Sequence, residues 1–148
     1  MHIAMVNSKR FPSMSDPLAN LPGYALRRAA NTVMAQFGDL LGEYGFRITE
    51  AAVLLLVRDR SDLTSAQIGK VLDIQRANMV PLLNRLDSAG WIQREPLDGK
   101  SMAIVLTPQG VAKIAELGAV IAQFEAELLE RIPADHRDHL LPALNALR

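Results

Sequence analysis

The sequence predicts a mainly α-helical α+β fold with one small β-hairpin, and three observations carry that reading. Apolar residues recur at helical spacing over most of the chain; the spacing switches to alternation after Gly90; and helix caps stand where the periodic segments begin and end. At 148 residues, 49% hydrophobic and 22% charged, the chain suffices for one compact domain with a real core.

Residues 1–16 mix Asn, Ser, Lys, Pro and Asp without periodicity and read as a flexible N-terminal arm. From Pro17 to Tyr44, Leu26, Ala29, Ala30, Val33, Phe37, Leu40 and Leu41 recur at helical spacing, with a break expected near Pro22-Gly23 and a left-handed cap at Gly45. Thr49 can cap a second helix, with Glu50 placed against the helix dipole and a wholly apolar body, Ala51–Val57, that should be buried. Thr64 and Gln67 form a capping box, T-x-x-Q, opening a short helix through Val71-Leu72.

The segment Asp73–Ala89 repeats apolar residues at Ile74, Met79, Leu82, Leu83 and Leu86 and stops at Gly90, with Trp91 as the hydrophobic contact of that cap. Pro81 falls inside it, so either the helix is bent there or its regular part starts late. Trp91–Glu95 and Ser101–Leu106 then read as two strands around a turn at Asp98-Gly99. Thr107-Pro108 opens a helix to about Arg131, with Val111, Ile114, Leu117, Ile121, Phe124 and Leu128 on one side. Pro133 separates it from a last apolar helix, Leu140–Leu147.

A capped short helix, a second helix, a Gly stop and a hairpin in succession form a helix-turn-helix with a β-wing. The architecture expected is thus a winged helix-turn-helix with long N- and C-terminal dimerisation helices: residues 17–46 and 108–148 as the helical dimerisation region, residues 47–107 as a DNA-binding lobe. The end helices carry more apolar surface than so small a core can cover, which points to a two-fold homodimer.

Composition excludes several classes. Formal net charge is zero, sixteen cations against sixteen anions, so any basic footprint is local: residues 1–107 hold twelve Lys/Arg against ten Asp/Glu, and 108–148 four against six. Without cysteine there are no disulfides, thiolate metal sites or thiol redox sensors. The first residues lack the apolar core of a secretory signal, and the longest apolar run, Ala51–Val57, is far short of a membrane span; a soluble cytoplasmic protein with no membrane partner is expected.

The chain resembles the MarR family of bacterial winged helix-turn-helix regulators from Ile48 to about Leu117. The carriers are Thr64-Ser65-Ala66-Gln67-Ile68-Gly69, the run from Leu82 to Ile92, the turn Asp98-Gly99-Lys100-Ser101, and Val105-Leu106-Thr107-Pro108-Gln109-Gly110. Each piece alone is weak, and the ordered set is specific. The resemblance implies that the terminal helices make a dimer, that the helix around Arg76–Asp87 enters the major groove of double-stranded DNA, and that the wing reaches the neighbouring minor groove. Such a dimer addresses a pseudopalindromic operator with half-sites roughly 10 bp apart.

Thr64, Ser65, Gln75, Arg76, Asn78, Met79, Arg85 and Lys100 are then the candidate DNA-binding residues. Arg suits guanine and Asn adenine, while Met79 suits either a thymine methyl or the core. Arg85 suits either a phosphate or an ion pair with a neighbouring acid. The wing tip carries Lys100 where the family usually has an Arg, a point charge in place of a planar fork.

The family resemblance also implies a repressor released by a small, aromatic acid-type ligand, for which Tyr24, Arg27 and Arg28 are candidates. The physical basis is a ligand that prefers a half-site spacing unsuited to DNA. The alternative is a winged-helix protein-interaction module without specific DNA binding, which zero net charge leaves open. No enzyme, catalytic residue, cofactor or metal is expected. The stretch Asp135-His136-Arg137-Asp138-His139 offers two His at i, i+3 but no ordered third ligand, and neither a G-x-S-x-G elbow nor a Gly-rich phosphate loop is present.

Overall fold

The computed structural model describes residues 16–148; the arm expected at residues 1–16 lies outside the described residues except for Asp16. A short 3-10 turn, Pro17–Asn20, precedes six α-helices and one hairpin: α1 Pro22–Glu43, α2 Ile48–Asp59, α3 Ser65–Leu72, α4 Arg76–Ser88, β1 Ile92–Pro96, β2 Met102–Leu106, α5 Pro108–Arg131 and α6 Arg137–Asn145, the last after a second 3-10 turn, Ala134–His136. The break expected near Pro22 is present, with Leu21 extended and Pro22 opening α1. The chain divides into two compact units, Met1–Gln36 and Phe37–Arg148.

In the first unit, Asp16 caps the 3-10 turn by accepting from the Leu18 backbone N–H at 3.0 Å and pairs with Arg28. None of its described residues is buried, and Leu21, Tyr24, Leu26 and Met34 are exposed.

The second unit holds the core. Leu41 of α1, Val53 and Leu54 of α2, Ile68 of α3, Met79, Leu83 and Leu86 of α4, Ile92 and Ile104 of the hairpin, and Ile114 and Leu117 of α5 are all but inaccessible. Each such aliphatic side chain contributes roughly 1.5–3 kcal/mol by leaving water. Phe46 stacks on Trp91 with ring centroids 4.4 Å apart, and Phe37 stacks on Phe124 at 4.9 Å.

The second helix starts two residues earlier than Thr49 suggests. Arg47 is its N-cap, and Glu50, at the third helical position, accepts from the Arg47 backbone N–H at 3.0 Å. The buried Glu50 carboxylate thereby satisfies an orphan donor and faces the positive end of the helix dipole. Thr49 sits inside the first turn instead. On α5, Val111 is exposed and not on the covered side, because Gly110, Ile114 and Leu117 define that side.

Three helices end in the same way. At the ends of α1 and α4, Gly45 (φ 79°) and Gly90 (φ 80°) take the left-handed conformation, while Phe46 N–H bonds Leu41 O and Trp91 N–H bonds Leu86 O. The end of α3 repeats the pattern with Ile74 N–H on Gly69 O at 2.8 Å, but the left-handed residue is Asp73 (φ 54°). An L side chain there costs about 1–2 kcal/mol.

Candidate nucleic-acid interface

The helix-turn-helix is built by two sets of capping bonds. Thr64 Oγ1 accepts from Gln67 N–H at 3.3 Å and Gln67 Oε1 accepts from Thr64 N–H at 2.9 Å, the reciprocal box expected from T-x-x-Q. Asp73 then turns the chain, and Gln75, extended at φ −64° and ψ 147°, becomes the N-cap of α4. Gly69 allows the two helices to close: a Cβ there would lie 3.0 Å from Ile74 O and 3.2 Å from Met79 Cγ.

Pro81 is the sixth residue of α4, and the helix runs through it to Ser88. The regular part therefore begins at Arg76, ahead of the proline, and Ala77 O has no backbone N–H to accept at i+4. Arg76, Asn78 and Arg85 are exposed on α4, and Gln75 is exposed at its cap. Met79 is 2% exposed and packs in the core beside Gly69, the second of the two places open to it from sequence. Arg85 makes no ion pair among the described residues; the neighbouring acid, Asp87, is held by Arg94 of β1 at 3.0 Å.

The hairpin pairs Ile92 with Leu106 through Pro96 with Met102, one residue along from the strands expected, and Gly99 (φ 62°) shapes its tip. Lys100 is exposed at that tip. A feature absent from the sequence reading anchors the wing: Ile104 N–H bonds Leu63 O at 2.8 Å and Ala103 bridges Thr64, tying β2 to the start of α3. At the wing's far end Thr107 N–H bonds Trp91 O at 3.0 Å, Thr107 Oγ1 donates to Gly90 O, and Gly110 N–H donates to Thr107 Oγ1 at 3.0 Å. The approach is so close that a Cβ on Gly110 would stand 2.0 Å from Trp91 O.

The cations of these elements split into two groups. Arg94 is neutralised by Asp87, whereas Lys70, Arg76, Arg85 and Lys100 make no ion pair among the described residues. The zero net charge of the chain thus conceals free cations on both helices and the wing. Thr64 and Ser65 are half-buried at the start of α3, with both polar backbone and hydroxyl groups of Thr64 engaged in its cap.

Sequence reasoning passed over the residues that face outward at the middle of α4. With Met79, Leu82, Leu83 and Leu86 inward, a period of about 100° per residue puts Ala77, Pro81 and Asn84 opposite them, Val80 and Arg76 on one flank and Arg85 and Asn78 on the other. The spacing of the four apolar residues carried this signal; the uncertain helix start obscured it.

Among the candidates on the first unit, Tyr24, Arg27 and Arg28 are exposed on α1. The Arg28 guanidinium beside Asp16 holds that carboxyl below its usual range. No group of three or more His, Asp or Glu with metal-binding placement occurs among the described residues, and no helix there is long and apolar enough to cross a membrane.

A family model described as the MarR family matches residues 44–101. Among solved structures, the transcriptional repressor CouR bound to a 23-mer DNA duplex is 30% identical, covers 93% of this chain and 99% of its own, and superposes with a TM-score of 0.83. The HTH-type transcriptional regulator YwoH of Bacillus subtilis is 26% identical over 116 residues, 78% of this chain and 82% of its own. The HTH-type transcriptional repressor Rv2887 of Mycobacterium tuberculosis is 25% identical over 114 residues, 76% of this chain and 82% of its own. The Rv2887 fold has been solved in complex with salicylic acid, with a TM-score of 0.69 to this chain.

Proposed function

This chain belongs to the MarR family of winged helix-turn-helix transcriptional regulators, and from that premise we propose that it is a dimeric repressor that binds a pseudopalindromic operator and leaves it when a small aromatic acid binds. The observation that carries the reading is the pair of free cations, Arg76 and Arg85, on the exposed side of α4, in a chain that matches a DNA-bound repressor over nearly its whole length.

In this reading α4 lies in the major groove. Arg76 and Asn78, near its N-terminal end, read base edges, with Gln75 at the cap beside them. Arg85 and Lys70 meet phosphates, Thr64 and Ser65 present the start of α3 to the backbone, and Lys100 carries a positive charge into the adjacent groove. Met79 supports the helix from within the core.

The exposed apolar side chains of α1 and α6, Leu26 and Met34 on one and Leu141 and Leu144 on the other, supply the faces for a second copy. For the effector, Tyr24 and Arg27 are exposed, and a carboxylate ligand reaching Arg28 competes with Asp16 for the same guanidinium. The work is done by a differential affinity for two half-site spacings. A cytoplasmic location and the absence of catalysis follow from a regulator's role.

A gel-shift titration on the DNA upstream of the chain's own gene tests this. Specific retardation that weakens steeply with salt and is relieved by salicylate is expected, and Lys100→Ala should lower the salt slope by about one unit for all sequences alike. Equal affinity for upstream and scrambled duplexes would contradict it.

A further inference from the structure

We infer that the apolar patch formed by Ala77, Val80 and Pro81 on the outward side of α4 reads the 5-methyl group of thymine, so that the half-site is selected for thymine by van der Waals contact. The inference rests on the proposal that α4 lies in the major groove, and adds to it the residues and the chemical feature recognised.

Val80 is 55% exposed although it is β-branched and lies in the middle of a helix whose other long apolar residues are buried. Its neighbours on that side, Ala77 and Pro81, are exposed as well. Three small apolar side chains on the outward part of α4 therefore face water in the free chain, at a transfer cost that only an occupant can recover. Thymine is the base that offers the major groove an apolar group, and apolar side chains on a recognition helix are its usual partners.

The flanks decide between a base and a protein as occupant. Arg76 on one edge and Arg85 on the other are unpaired, and no carboxylate stands between them in sequence; Asp87, the next acid along the helix and on the Val80 side, is neutralised by Arg94 at 3.0 Å. An apolar strip bounded by free cations suits a groove walled by phosphates. The strip also lacks the large anchors that protein interfaces use, since its side chains are Ala, Val and Pro with Asn84 beyond. Small side chains let the helix backbone come close to the base edges, which a methyl contact requires. Met79, one residue away, is closed to this role by its burial at 2%.

The test uses the full chain and the tightest duplex recovered from a randomised pool, with each thymine replaced singly by deoxyuridine. That change removes one methyl group and leaves base pairing intact. At one or more thymines, affinity should fall by about three- to fivefold, the equivalent of one buried methyl group. In Val80→Ala, whose side chain lies outside the buried core, the ratio of affinities for the thymine and deoxyuridine duplexes should shrink below about twofold. Thermal melting establishes that the variant is folded. Specific binding that ignores every thymine-to-deoxyuridine change would overturn the inference and leave the DNA-binding proposal standing. So would a methyl effect undiminished in both Val80→Ala and Pro81→Ala. Recovery of no preferred duplex would overturn both.

Discussion

Every buried side chain among the described residues lies between Leu41 and Leu117, and none lies in the 3-10 turn, the first eighteen residues of α1 or α6. Elements in the middle find their partners within the chain: α2 against β2 and α5, α3 against α4, the hairpin against the ends of α3 and α5. The ends present apolar residues without covering them, as at Leu147, which is 70% exposed. The difference separates two ways in which a hydrophobic pattern can be satisfied. The middle is a self-sufficient scaffold that fixes α4 and the wing; the ends leave their apolar residues exposed to water.

Gly110 tests most severely whether the middle holds together on its own. Gly110→Ala drives a Cβ to 2.0 Å from Trp91 O, a backbone atom that cannot swing away. The start of α5 must then part from the end of β1, and we expect a loss of about 3 kcal/mol in urea denaturation. A loss below 1 kcal/mol would mean that the junction is loose.

The ends are tested by replacing Leu141 and Leu147 together with Ser. Both are exposed, so the unfolding free energy of the monomeric chain should change by no more than about 0.5 kcal/mol, while self-association measured by sedimentation should weaken at least about tenfold. A large loss of monomer stability would show that α6 is packed on its own subunit, which removes the contrast.

The smallest effect is expected at the turn between α3 and α4. The caps at Gly45 and Gly90 use glycine in the left-handed conformation, and the cap between α3 and α4 uses Asp73. Asp73→Gly relieves about 1–2 kcal/mol of backbone strain and gives back about 0.5–1 kcal/mol of chain entropy, so a net gain near 0.5 kcal/mol in stability is expected. A net loss would assign the Asp73 side chain a stabilising role of its own.

The middle was also the legible part of the sequence, for the same physical reason. T-x-x-Q at Thr64, Thr107-Pro108 and the glycines at 45 and 90 act through bonds to near neighbours, and each formed as its residue type dictates. The helix boundaries at Arg47 and Gln75 were harder to place, because neither side chain makes the usual capping hydrogen bond; the Glu50 carboxylate and the Asp73 turn set those starts instead. The bridge from Ala103 to Thr64 joins residues thirty-nine positions apart and leaves no local pattern. Pro81 obscured the rotation of α4, and with it the fact that Val80 faces out while Met79 faces in. At the ends, periodicity announces helices but says nothing of what covers them.

If α4 enters the major groove, guanine N7 is the atom that reports it. Dimethyl sulfate footprinting on the selected duplex should show protection in two clusters about one helical turn apart, with Arg76→Ala losing one protected guanine per cluster and about 1–3 kcal/mol of specific affinity. Guanines left fully reactive under saturating protein, or a footprint and affinity identical in Arg76→Ala, would contradict it.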